Sequence, residues 1–470
     1  MERAELERLF ERQRCRAPLV ARQPVRDRRE RLRRLRQAVV ERRNAIAEAI
    51  FEDLRRPAFE SETAEYHHVL QEIDHAIRHV RRWTRSRRVG APLLMAGTAS
   101  RLLVEPRGTV LILSPWNYPF SLVVNPLVAA IAAGNCVVVK PSEKAPATAR
   151  LLAEMLGAVF EEGEVAVVLG GPEVAAELLE LPFDHFFFTG STRVGKLVMA
   201  AAARHLATVT LELGGKTPAV VDRTADVASA AERIVWGKLF NAGQTCIAPD
   251  FVLAHEAVHD RFLEAADAAV RRFYGEDAEA RRRSPDLARI VDDEHFERLQ
   301  RLVSESVAQG ARIVTGGAWD AGTRYVDPTV LAGVTPDMPV MQEEIFGPVL
   351  PVLKYGALEE AQRLARSNGK PLASYIFTRD RHVASVLLHG IPAGGTMINN
   401  TLLHYASSEL PFGGVGASGM GAYHGWFGFL AMSHLRPVVR QRGPALSALI
   451  QPPFRGRFHA LVRRVLPWLR

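Results

Sequence analysis

One cysteine of this chain stands in a setting that could support covalent catalysis. Cys246 lies in the stretch from Asn241 to Pro249, among small and turn-prone residues, directly after an amphipathic run from Ala230 to Phe240. In such a turn backbone N–H groups are free around the sulfur, so the thiol can be deprotonated and reached by a substrate. A lone cysteine is more often a small core residue. The assignment of Cys246 as a nucleophile therefore depends on partners elsewhere in the sequence.

Two segments upstream supply the groups that a thiol nucleophile needs. Glu212 ends an apolar run and is followed by Leu213 and two glycines, and Asn117 stands between Pro115 and Pro119. An apolar setting raises the pKa of a carboxyl group, which suits Glu212 to the role of general base. The Asn117 amide can donate a hydrogen bond to an oxyanion. Together the three residues predict a nucleophile, a base and an oxyanion donor.

The elements that must position these residues follow an alternating pattern. From Glu2 to about Trp83 the pattern is helical, and beyond Trp83 short β-rich runs alternate with helical runs. Such alternation is typical of βαβ units and predicts an α/β fold with parallel sheets covered on both faces. A second set of strands begins after Gly214 and Gly215, which indicates a second α/β domain that ends near Asn399. The predicted strands are 99–105, 110–114, 136–140, 165–169, 186–189, 209–213, 219–221, 251–253, 312–314, 349–353 and 374–377, and predicted helices include 123–133 and 147–160.

Size and composition restrict the class of protein. A chain of 470 residues is too long for one core and indicates two or three domains. Its three cysteines, at positions 15, 136 and 246, are odd in number and far apart, which indicates a reducing compartment, and Cys136 is expected in the core. The charged start lacks the apolar core of a signal peptide, and no run of about eighteen apolar residues is present. We expect a cytoplasmic protein.

The net charge of +8 admits more than one interpretation. Nucleic acid or an anionic membrane could be the partner of such a chain. Much of the excess lies between Arg22 and Arg43, where apolar residues recur at helical spacing, so a solvated helix face is favoured and no nucleic-acid partner is expected. After Pro437 a second basic segment carries one apolar face, from Phe458 to Leu469. This tail is too short to cross a membrane, and it either lies in a membrane interface or packs on its own subunit.

Four polar residues of one predicted helix lie at helical intervals. His68, Glu72, His75 and His79 share one face of the helix near Glu65. Metal sites usually draw on cysteine or on a tighter His-Glu motif, so a metal site is weakly supported here. We interpret these residues as surface or interface residues and expect no metal.

A dinucleotide site has weaker signals than the catalytic residues. The motif G-x-G-x-x-G is absent, but residues 188–195, Phe-Thr-Gly-Ser-Thr-Arg-Val-Gly, form a strand-to-helix turn of the kind that can bind phosphates. Helix capping alone could explain that composition. Lys140 and Glu143 follow another strand, at the edge where α/β proteins bind ligands. A solvent-facing loop is an equal alternative for that pair.

Seven blocks of the sequence resemble, in their order, those of aldehyde dehydrogenases: SPWNYP, VVVKPSE, FTGST, LELGGK, NAGQTC, EEIFGPV and LPFGGVGASG. The resemblance extends from about Arg26 to Pro437, and the segment from Asn399 through Tyr405 to Gly425 is most similar to the class 3, fatty-aldehyde type. It implies two parallel-sheet Rossmann-like domains with a small β oligomerisation arm, and a homodimer. The implied divisions are N-terminal helices of the cofactor domain (1–98), an arm strand (99–107), a cofactor-binding domain (108–212), a catalytic domain (213–398), a return segment with the oligomerisation arm (399–437) and a basic amphipathic tail (438–470).

The resemblance also implies roles for particular residues. Catalytic roles are implied for Cys246, Glu212 and Asn117. The cofactor is implied to be NAD, because the Glu143 carboxylate repels a 2′-phosphate, although class 3 enzymes often accept NADP as well. Aldehyde contacts are implied for Tyr118, Tyr405 and Phe412. Cofactor contacts are implied for Trp116, Lys140, Ser142, Glu143, Gly190, Ser191, Gly195, Leu213, Glu344 and Phe346.

The implied reaction is the oxidation of an apolar aldehyde, medium to long-chain aliphatic or aromatic, to the carboxylic acid. It would pass through a thiohemiacetal and a thioester on Cys246. CoA-acylating relatives resolve the thioester with a thiol and generally lack the glutamate found here as Glu212, so hydrolysis is favoured. The alternatives that stay open are a CoA-acylating enzyme, a catalytically silent NAD-binding scaffold and a membrane-attached scaffold led by the basic tail.

Overall fold

The computed structural model describes residues 2–92, 95–444, 451–452, 456, 460–461 and 463–464. Its strands are β1 (Arg87–Val89), β2 (Thr98–Pro106), β3 (Thr109–Leu113), β4 (Cys136–Lys140), β5 (Val165–Val167), β6 (His185–Thr189), β7 (Thr208–Glu212), β8 (Pro218–Val221), β9 (Phe251–His255), β10 (Arg312–Thr315), β11 (Trp319–Asp320), β12 (Tyr325–Val326), β13 (Thr329–Ala332), β14 (Val349–Tyr355), β15 (Ala373–Phe377), β16 (Gly395–Ile398), β17 (Gly419–Met420) and β18 (Ser433–Gln441).

The α-helices are α1 (Arg3–Ala21), α2 (Val25–Glu41), α3 (Arg43–Leu54), α4 (Ala58–Ser61), α5 (His68–Trp83), α6 (Ser121–Ala133), α7 (Pro146–Val159), α8 (Pro172–Leu179), α9 (Thr192–Arg204), α10 (Val227–Leu239), α11 (His259–Tyr274), α12 (Ala278–Arg283), α13 (Asp293–Ala308), α14 (Pro339–Gln342), α15 (Leu358–Ala365), α16 (Arg381–Gly390) and α17 (Gly425–Ala431). A π-helical turn, Glu62–His67, joins α4 to α5, and 3-10 turns span Phe240–Gly243, Ala321–Thr323 and Leu403–Ala406.

Two large sheets form the body of the fold. The six-stranded sheet has the order β17-β7-β6-β3-β4-β5, and the seven-stranded sheet has the order β10-β13-β14-β9-β8-β15-β16. All neighbours are parallel except β17 beside β7 and β10 beside β13. Strands β3, β4 and β6 are buried at every residue, as expected for parallel strands with helices on both faces. The predicted α/β fold with two parallel-sheet domains is confirmed.

A small antiparallel sheet, β1-β2-β18, lies apart from the two large sheets. Strand β2 agrees with the predicted arm strand, and β18 pairs with it along its whole length, from Ser433 opposite Pro106 to Gln441 opposite Thr98. Strand β18 therefore runs past the predicted division at 437. The divisions between domains stay predictions. Most of the predicted amphipathic tail, Phe458 to Leu469, lies outside the described residues.

The polar face of α5 was predicted to hold surface or interface residues, and the first of these alternatives is wrong. His68, Glu72 and His75 of α5 are buried. Helix α17 and the chain before it pack over this face of α5. Because these residues lie far along the sequence, the periodicity of α5 itself does not indicate that they cover it.

In α2 the predicted solvated face is present, with Arg26, Arg33 and Arg34 exposed. Arg28 lies instead on the apolar face beside Leu32, where its buried guanidinium donates to the Ala133 carbonyl at 2.6 Å. It thereby caps the carbonyl end of α6.

Cys136 is buried in the core, as predicted, and all three cysteines are free thiols. Among the helices of the described residues, none has the length and apolar character needed to cross a membrane.

Candidate active site

The predicted site residues lie at the ends of parallel strands. In the six-stranded sheet Leu113 pairs with Lys140 and Phe188, and Thr189 pairs with Glu212. The segments that follow these strands therefore meet at one carboxyl edge, where open α/β sheets bind ligands. In the seven-stranded sheet Cys246 precedes β9, and Glu344 precedes β14, at the amino edge. The carboxyl edge of one sheet faces the amino edge of the other across a cleft.

A cavity of about 200 Å³ lies in this cleft. It brings together Cys246 and Glu212 with all three residues predicted to contact the aldehyde, Tyr118, Tyr405 and Phe412. Most of its wall is apolar. The remaining lining residues are Thr63, Ala64, His68, Leu122, Thr189, Leu213, Trp236, Phe240, Thr245, Ile247, Leu402, Leu403, Ala406 and Tyr423.

The turn before Cys246 has a strained backbone that hydrogen bonds fix in place. Asn241 and Ala242 have φ of 52° and 51°, a left-handed conformation that costs free energy for residues other than glycine. The Gln244 side chain donates to the Asn241 carbonyl at 3.1 Å and accepts from the Val291 N–H at 3.0 Å. These bonds hold the turn so that the half-buried sulfur of Cys246 reaches the cavity.

The thiol of Cys246 is not ionised by the turn alone. Burial raises the pKa of Cys246 to about 12, and the nearby carboxyl groups of Glu344 and Glu212 act in the same direction. The backbone N–H groups of Cys246 and Ile247 lower the pKa of the thiol, in the expected direction, but by less than burial raises it. A base that takes the thiol proton would therefore favour nucleophilic attack.

Glu212 is placed to be that base. Its side chain is 2% exposed, it lines the cavity with Cys246, and neither carboxyl oxygen has a hydrogen-bond partner among the described residues. Burial raises the pKa of Glu212 well above its ordinary value, as its apolar neighbours predicted. A carboxyl group with free oxygens and a raised pKa can both accept a proton and release it.

Asn117 lies against the nucleophile turn. It is buried, and its Nδ2 donates to the Gln244 carbonyl at 3.0 Å, which leaves the second N–H of the amide free for another acceptor. The Asn117 carbonyl accepts from the Asn241 side chain at 2.9 Å. The predicted oxyanion donor and the predicted nucleophile are thus tied together by direct hydrogen bonds between their segments.

A buried ion pair behind Asn117 was not predicted. Arg56 and Glu65 pair with each other and are both fully buried. The Arg56 guanidinium donates to the Asn117 carbonyl at 3.0 Å and lies 4.9 Å from the centre of the Tyr118 ring. Glu65, in the π-helical turn, accepts from the backbone N–H of Phe120 at 2.8 Å. Because these contacts join residues far apart in sequence, no local pattern could have revealed them.

The predicted cofactor residues form a cradle at the carboxyl edge of the six-stranded sheet. Gly190 and Ser191 connect β6 to the amino end of α9, and a Cβ at Gly190 would press on the Phe188 ring. At Gly195 a Cβ would meet Leu213. The hydroxyl of Thr189 is buried without a partner among the described residues. Close backbone approach, a helix amino end and an unpaired polar atom fit the diphosphate of a dinucleotide.

The Lys140 loop lies further along the same edge, outside the cavity. The Lys140 ammonium is buried and donates to Glu143 at 3.1 Å, and the Ser142 hydroxyl accepts from the Lys144 N–H at 3.2 Å. A fixed ammonium and carboxylate at a strand end can bind the hydroxyl groups of a ribose.

The second sheet contributes Glu344 and Phe346. The Glu344 carboxyl group lies against Gly214, where a side chain would overlap it, and burial raises the pKa of Glu344 to about 8. Phe346 has φ of 51°, and its ring meets Trp116 edge to face with centres 5.5 Å apart. The aromatic pair joins the segment after β3 of one sheet to the segment before β14 of the other.

Of the aldehyde contacts predicted from the resemblance, Tyr405 and Phe412 lie in an aromatic cluster, and Tyr118 lies beside the nucleophile turn. The Tyr118 hydroxyl is 2.7 Å from Thr245 Oγ1, and the ring of Tyr405 meets that of Phe412 edge to face at 4.9 Å. Sequence reasoning missed Tyr423 and Trp236, which also line the cavity.

Known proteins similar to this chain point to one family. The sequence model described as "Aldehyde dehydrogenase family" matches residues 1–438. The chain is 43% identical to 4,4'-diaponeurosporen-aldehyde dehydrogenase of Staphylococcus aureus (strain NCTC 8325 / PS 47), over 92% of this chain and 93% of the relative. It is 46% identical to aldehyde dehydrogenase family 3 member B1 of Rattus norvegicus, over 88% of this chain and 87% of the relative.

Solved structures point to the same family as the sequence comparisons. The substrate-bound state of Staphylococcus aureus AldH matches with a TM-score of 0.93 at 40% identity, covering 97% of this chain and 99% of that chain. The crystal structure of indole-3-acetaldehyde dehydrogenase complexed with NAD⁺ matches with a TM-score of 0.85 at 27% identity, covering 94% of this chain and 89% of that chain.

Proposed function

Because the chain belongs to the aldehyde dehydrogenase family, and is thus an NAD(P)-dependent enzyme that oxidises aldehydes, we propose that its substrate is an apolar aldehyde. The class is medium to long-chain aliphatic or aromatic, and the product is the free carboxylic acid. One observation carries the proposal: Cys246 and Glu212 share a cavity whose wall is mostly aromatic and aliphatic. An apolar chain or ring would gain about 25 cal/mol for each Å² that it buries there.

The first step is attack by sulfur on the aldehyde carbon. Glu212 takes the proton from the Cys246 thiol, a bond forms between sulfur and carbon, and the carbonyl π electrons move to oxygen. The free N–H of Asn117 and the backbone N–H of Cys246 stabilise the resulting oxyanion of the thiohemiacetal. NAD(P), when bound, supplies the acceptor for the hydride that leaves this carbon.

The second step is hydrolysis of the thioester that remains on Cys246. Before this step the proton that Glu212 took from the thiol passes to solvent. Glu212 then removes a proton from water, and the hydroxide oxygen bonds to the acyl carbon. The carbon–sulfur bond breaks with its electron pair on sulfur, and the Glu212 carboxyl group returns a proton to the Cys246 thiolate. The same donors hold the oxyanion of this step. Because a buried carboxyl group without fixed partners is present at Glu212, water is favoured over CoA as the acceptor.

The cofactor would be held by the cradle at Gly190, Ser191 and Gly195 and by the Lys140 loop, with Trp116, Ser142 and Leu213 beside them. Glu344 and Phe346 would hold its nicotinamide half. The Glu143 carboxylate disfavours a 2′-phosphate, so we propose NAD as the preferred cofactor, with NADP used more weakly. The ratio of kcat/KM for the two cofactors measures this preference.

We propose further that the enzyme is a homodimer assembled through the β1-β2-β18 arm, whose residues are largely half-buried or exposed in the isolated chain. Mass measurement in solution, with and without residues 433–441, tests the dimer. Contact of the basic tail with a membrane is tested by vesicle sedimentation with and without residues 445–470.

A screen for NADH formation tests the reaction and the substrate class. Aliphatic aldehydes of increasing chain length, aromatic aldehydes and isoprenoid aldehydes are compared with wild type, Cys246→Ser and the matched core variant Cys136→Ser. We expect kcat/KM to rise with apolar size, activity to be lost in Cys246→Ser, and little change in Cys136→Ser. A Cys246→Ser enzyme as fast as wild type would overturn the nucleophile assignment, and a preference for small polar aldehydes would overturn the substrate class.

A further inference from the structure

A second group of reactive side chains lies beside the substrate cavity. His68 and Glu72 stand one turn apart on α5, and His424 lies in the turn that leads into α17. Their exposures are 5%, 3% and 2%, so all three are removed from solvent. The reaction proposed above uses none of them.

The two imidazole rings and one oxygen of the Glu72 carboxyl group lack well-formed hydrogen bonds. Among the described residues, no geometrically acceptable hydrogen bond is made by either ring nitrogen of His68 or His424, or by Oε1 of Glu72. The Ser407 backbone faces the His424 ring, and the Ser408 hydroxyl lies near the Glu72 carboxyl group. A buried polar atom left unpaired costs about 1–3 kcal/mol, so a group of this kind requires an explanation.

The spacing of the group suits a metal ion. One ligand atom from each residue lies within 4.8 Å of the others. With metal–nitrogen bonds of roughly 2.0–2.1 Å and tetrahedral angles, two ligating imidazole rings have centres about 5 Å apart. The ring centres of His68 and His424 are 5.2 Å apart.

The surroundings hold the three ligands in place. The other carboxyl oxygen of Glu72 accepts from the Gly425 N–H at 3.0 Å, as carboxylates that bind metals commonly do from their neighbours. His424 has φ of 79°, a strained conformation that directs its ring toward α5. Strain of this kind is concentrated at ligand sites, because binding there compensates for it.

We propose that His68, Glu72 and His424 bind a divalent transition-metal ion of the Zn²⁺ type, with a fourth position left for water. Two nitrogens and one carboxylate oxygen match the ligand preference of Zn²⁺. The ion would join α5 to the return segment that carries Tyr405 and Tyr423 to the cavity wall. Its role is to fix the shape of the substrate cavity, not to take part in the oxidation.

A second group, Asp292, Glu294 and His295, provides the contrast. Its acids are partly exposed and pair with Lys144, at 2.7 Å for Asp292 and 3.2 Å for Glu294. Its charges are already satisfied, so the same reasoning predicts no bound ion there.

Metal content tests the proposal directly. The full-length protein is stripped with a chelator, loaded with Zn²⁺, desalted and measured by mass spectrometry of the metal, and a Co²⁺-loaded sample is examined for visible absorption of a four-coordinate ion. We expect about one Zn²⁺ for each chain in wild type and in His295→Gln, and at least tenfold weaker binding in His68→Gln and Glu72→Gln. Circular dichroism and unfolding midpoints show that each variant is folded.

Two outcomes would overturn the proposal. One is that wild-type protein retains no Zn²⁺ after desalting, in which case ordered water, and not a metal ion, pairs with the polar atoms of the group. The other is equal metal content in wild type and in a folded His68→Gln/Glu72→Gln variant, which would place the ion elsewhere. Neither outcome affects the proposed oxidation of aldehydes, because the NADH screen is read independently.

Discussion

Replacing Glu212 by glutamine should separate the two tasks assigned to this residue. With the pKa of Cys246 raised to about 12, the fraction of thiolate at pH 8 is about one in ten thousand unless a base takes the proton. Glu212→Gln keeps the shape of the side chain and removes the base. We therefore expect kcat/KM at pH 8 to fall by about a hundredfold to ten-thousandfold, the range typical of general-base catalysis.

The pH dependence gives a second readout. In wild type kcat/KM should rise with pH as Glu212, whose pKa is raised by burial, loses its proton. In Glu212→Gln the rate should follow the thiolate fraction and rise by about tenfold for each pH unit toward the pKa of the thiol, so the gap to wild type narrows at alkaline pH. Glu164→Gln is the matched control, because Glu164 is a buried carboxylate at the opposite edge of the same sheet, paired with Arg31 at 2.8 Å.

The assay is stopped-flow measurement of NADH, which shows acylation as a burst and hydrolysis as the steady state. If the variant keeps a slow burst and an added thiol restores turnover, Glu212 also serves hydrolysis, as proposed. If kcat/KM stays within threefold of wild type with the same pH profile, Glu212 is not the base and the reasoning fails.

Three further substitutions test other parts of the structure. Asn117→Ala should lower kcat/KM by about a hundredfold or more in steady-state kinetics, because an oxyanion donor is lost, with little change in the KM for NAD. An unchanged kcat/KM would exclude Asn117 as an oxyanion donor. Arg56→Met should destabilise the fold by about 3–5 kcal/mol in urea denaturation, because it leaves Glu65 charged and buried. Adding Glu65→Gln to this variant should recover part of the lost stability. If the losses of the two single variants were additive in the double variant, a direct pairing would be contradicted. Burial lowers the pKa of His185 to about 3, whereas the pKa in the unfolded chain is about 6.5. The stability that the neutral His185 ring contributes is therefore complete above pH 6.5 and is lost as pH falls toward 3. At pH 5 the loss is on the order of 2 kcal/mol, and urea denaturation of His185→Gln should show a flatter pH dependence than wild type.

Most strands of the two large sheets could be predicted because parallel strands are buried on both faces and appear as continuous apolar runs. The run from Cys136 to Lys140 was predicted at the observed bounds, and the run at Val110 differs from β3 by one residue at each end. In the seven-stranded sheet β13 and β16 were missed. In the six-stranded sheet β17 was missed. It has two residues, and its pairing with Glu212 depends on a chain reversal that no local pattern encodes.

The candidate catalytic residues could be selected because their segments have distinctive composition and resemble a known family, and Cys246 and Glu212 do line one cavity. The raised pKa of Glu212 was also expected from its apolar neighbours, but that of the Cys246 thiol was not. The pKa of the Cys246 thiol depends on burial by residues from other segments, which the sequence of the turn does not show. The same limit applies to Arg56 and to the buried face of α5, where each side chain is explained by a partner far along the chain.

The short strand Gly419–Met420 pairs with β7 at Glu212, and the Leu213 N–H donates to the Ser418 carbonyl at 3.0 Å. The candidate base is therefore held by residues that leave the ribosome long after it. We expect a product terminated before Ser418 to lack this support for Glu212, and so to oxidise aldehydes poorly, even where its cofactor half has folded.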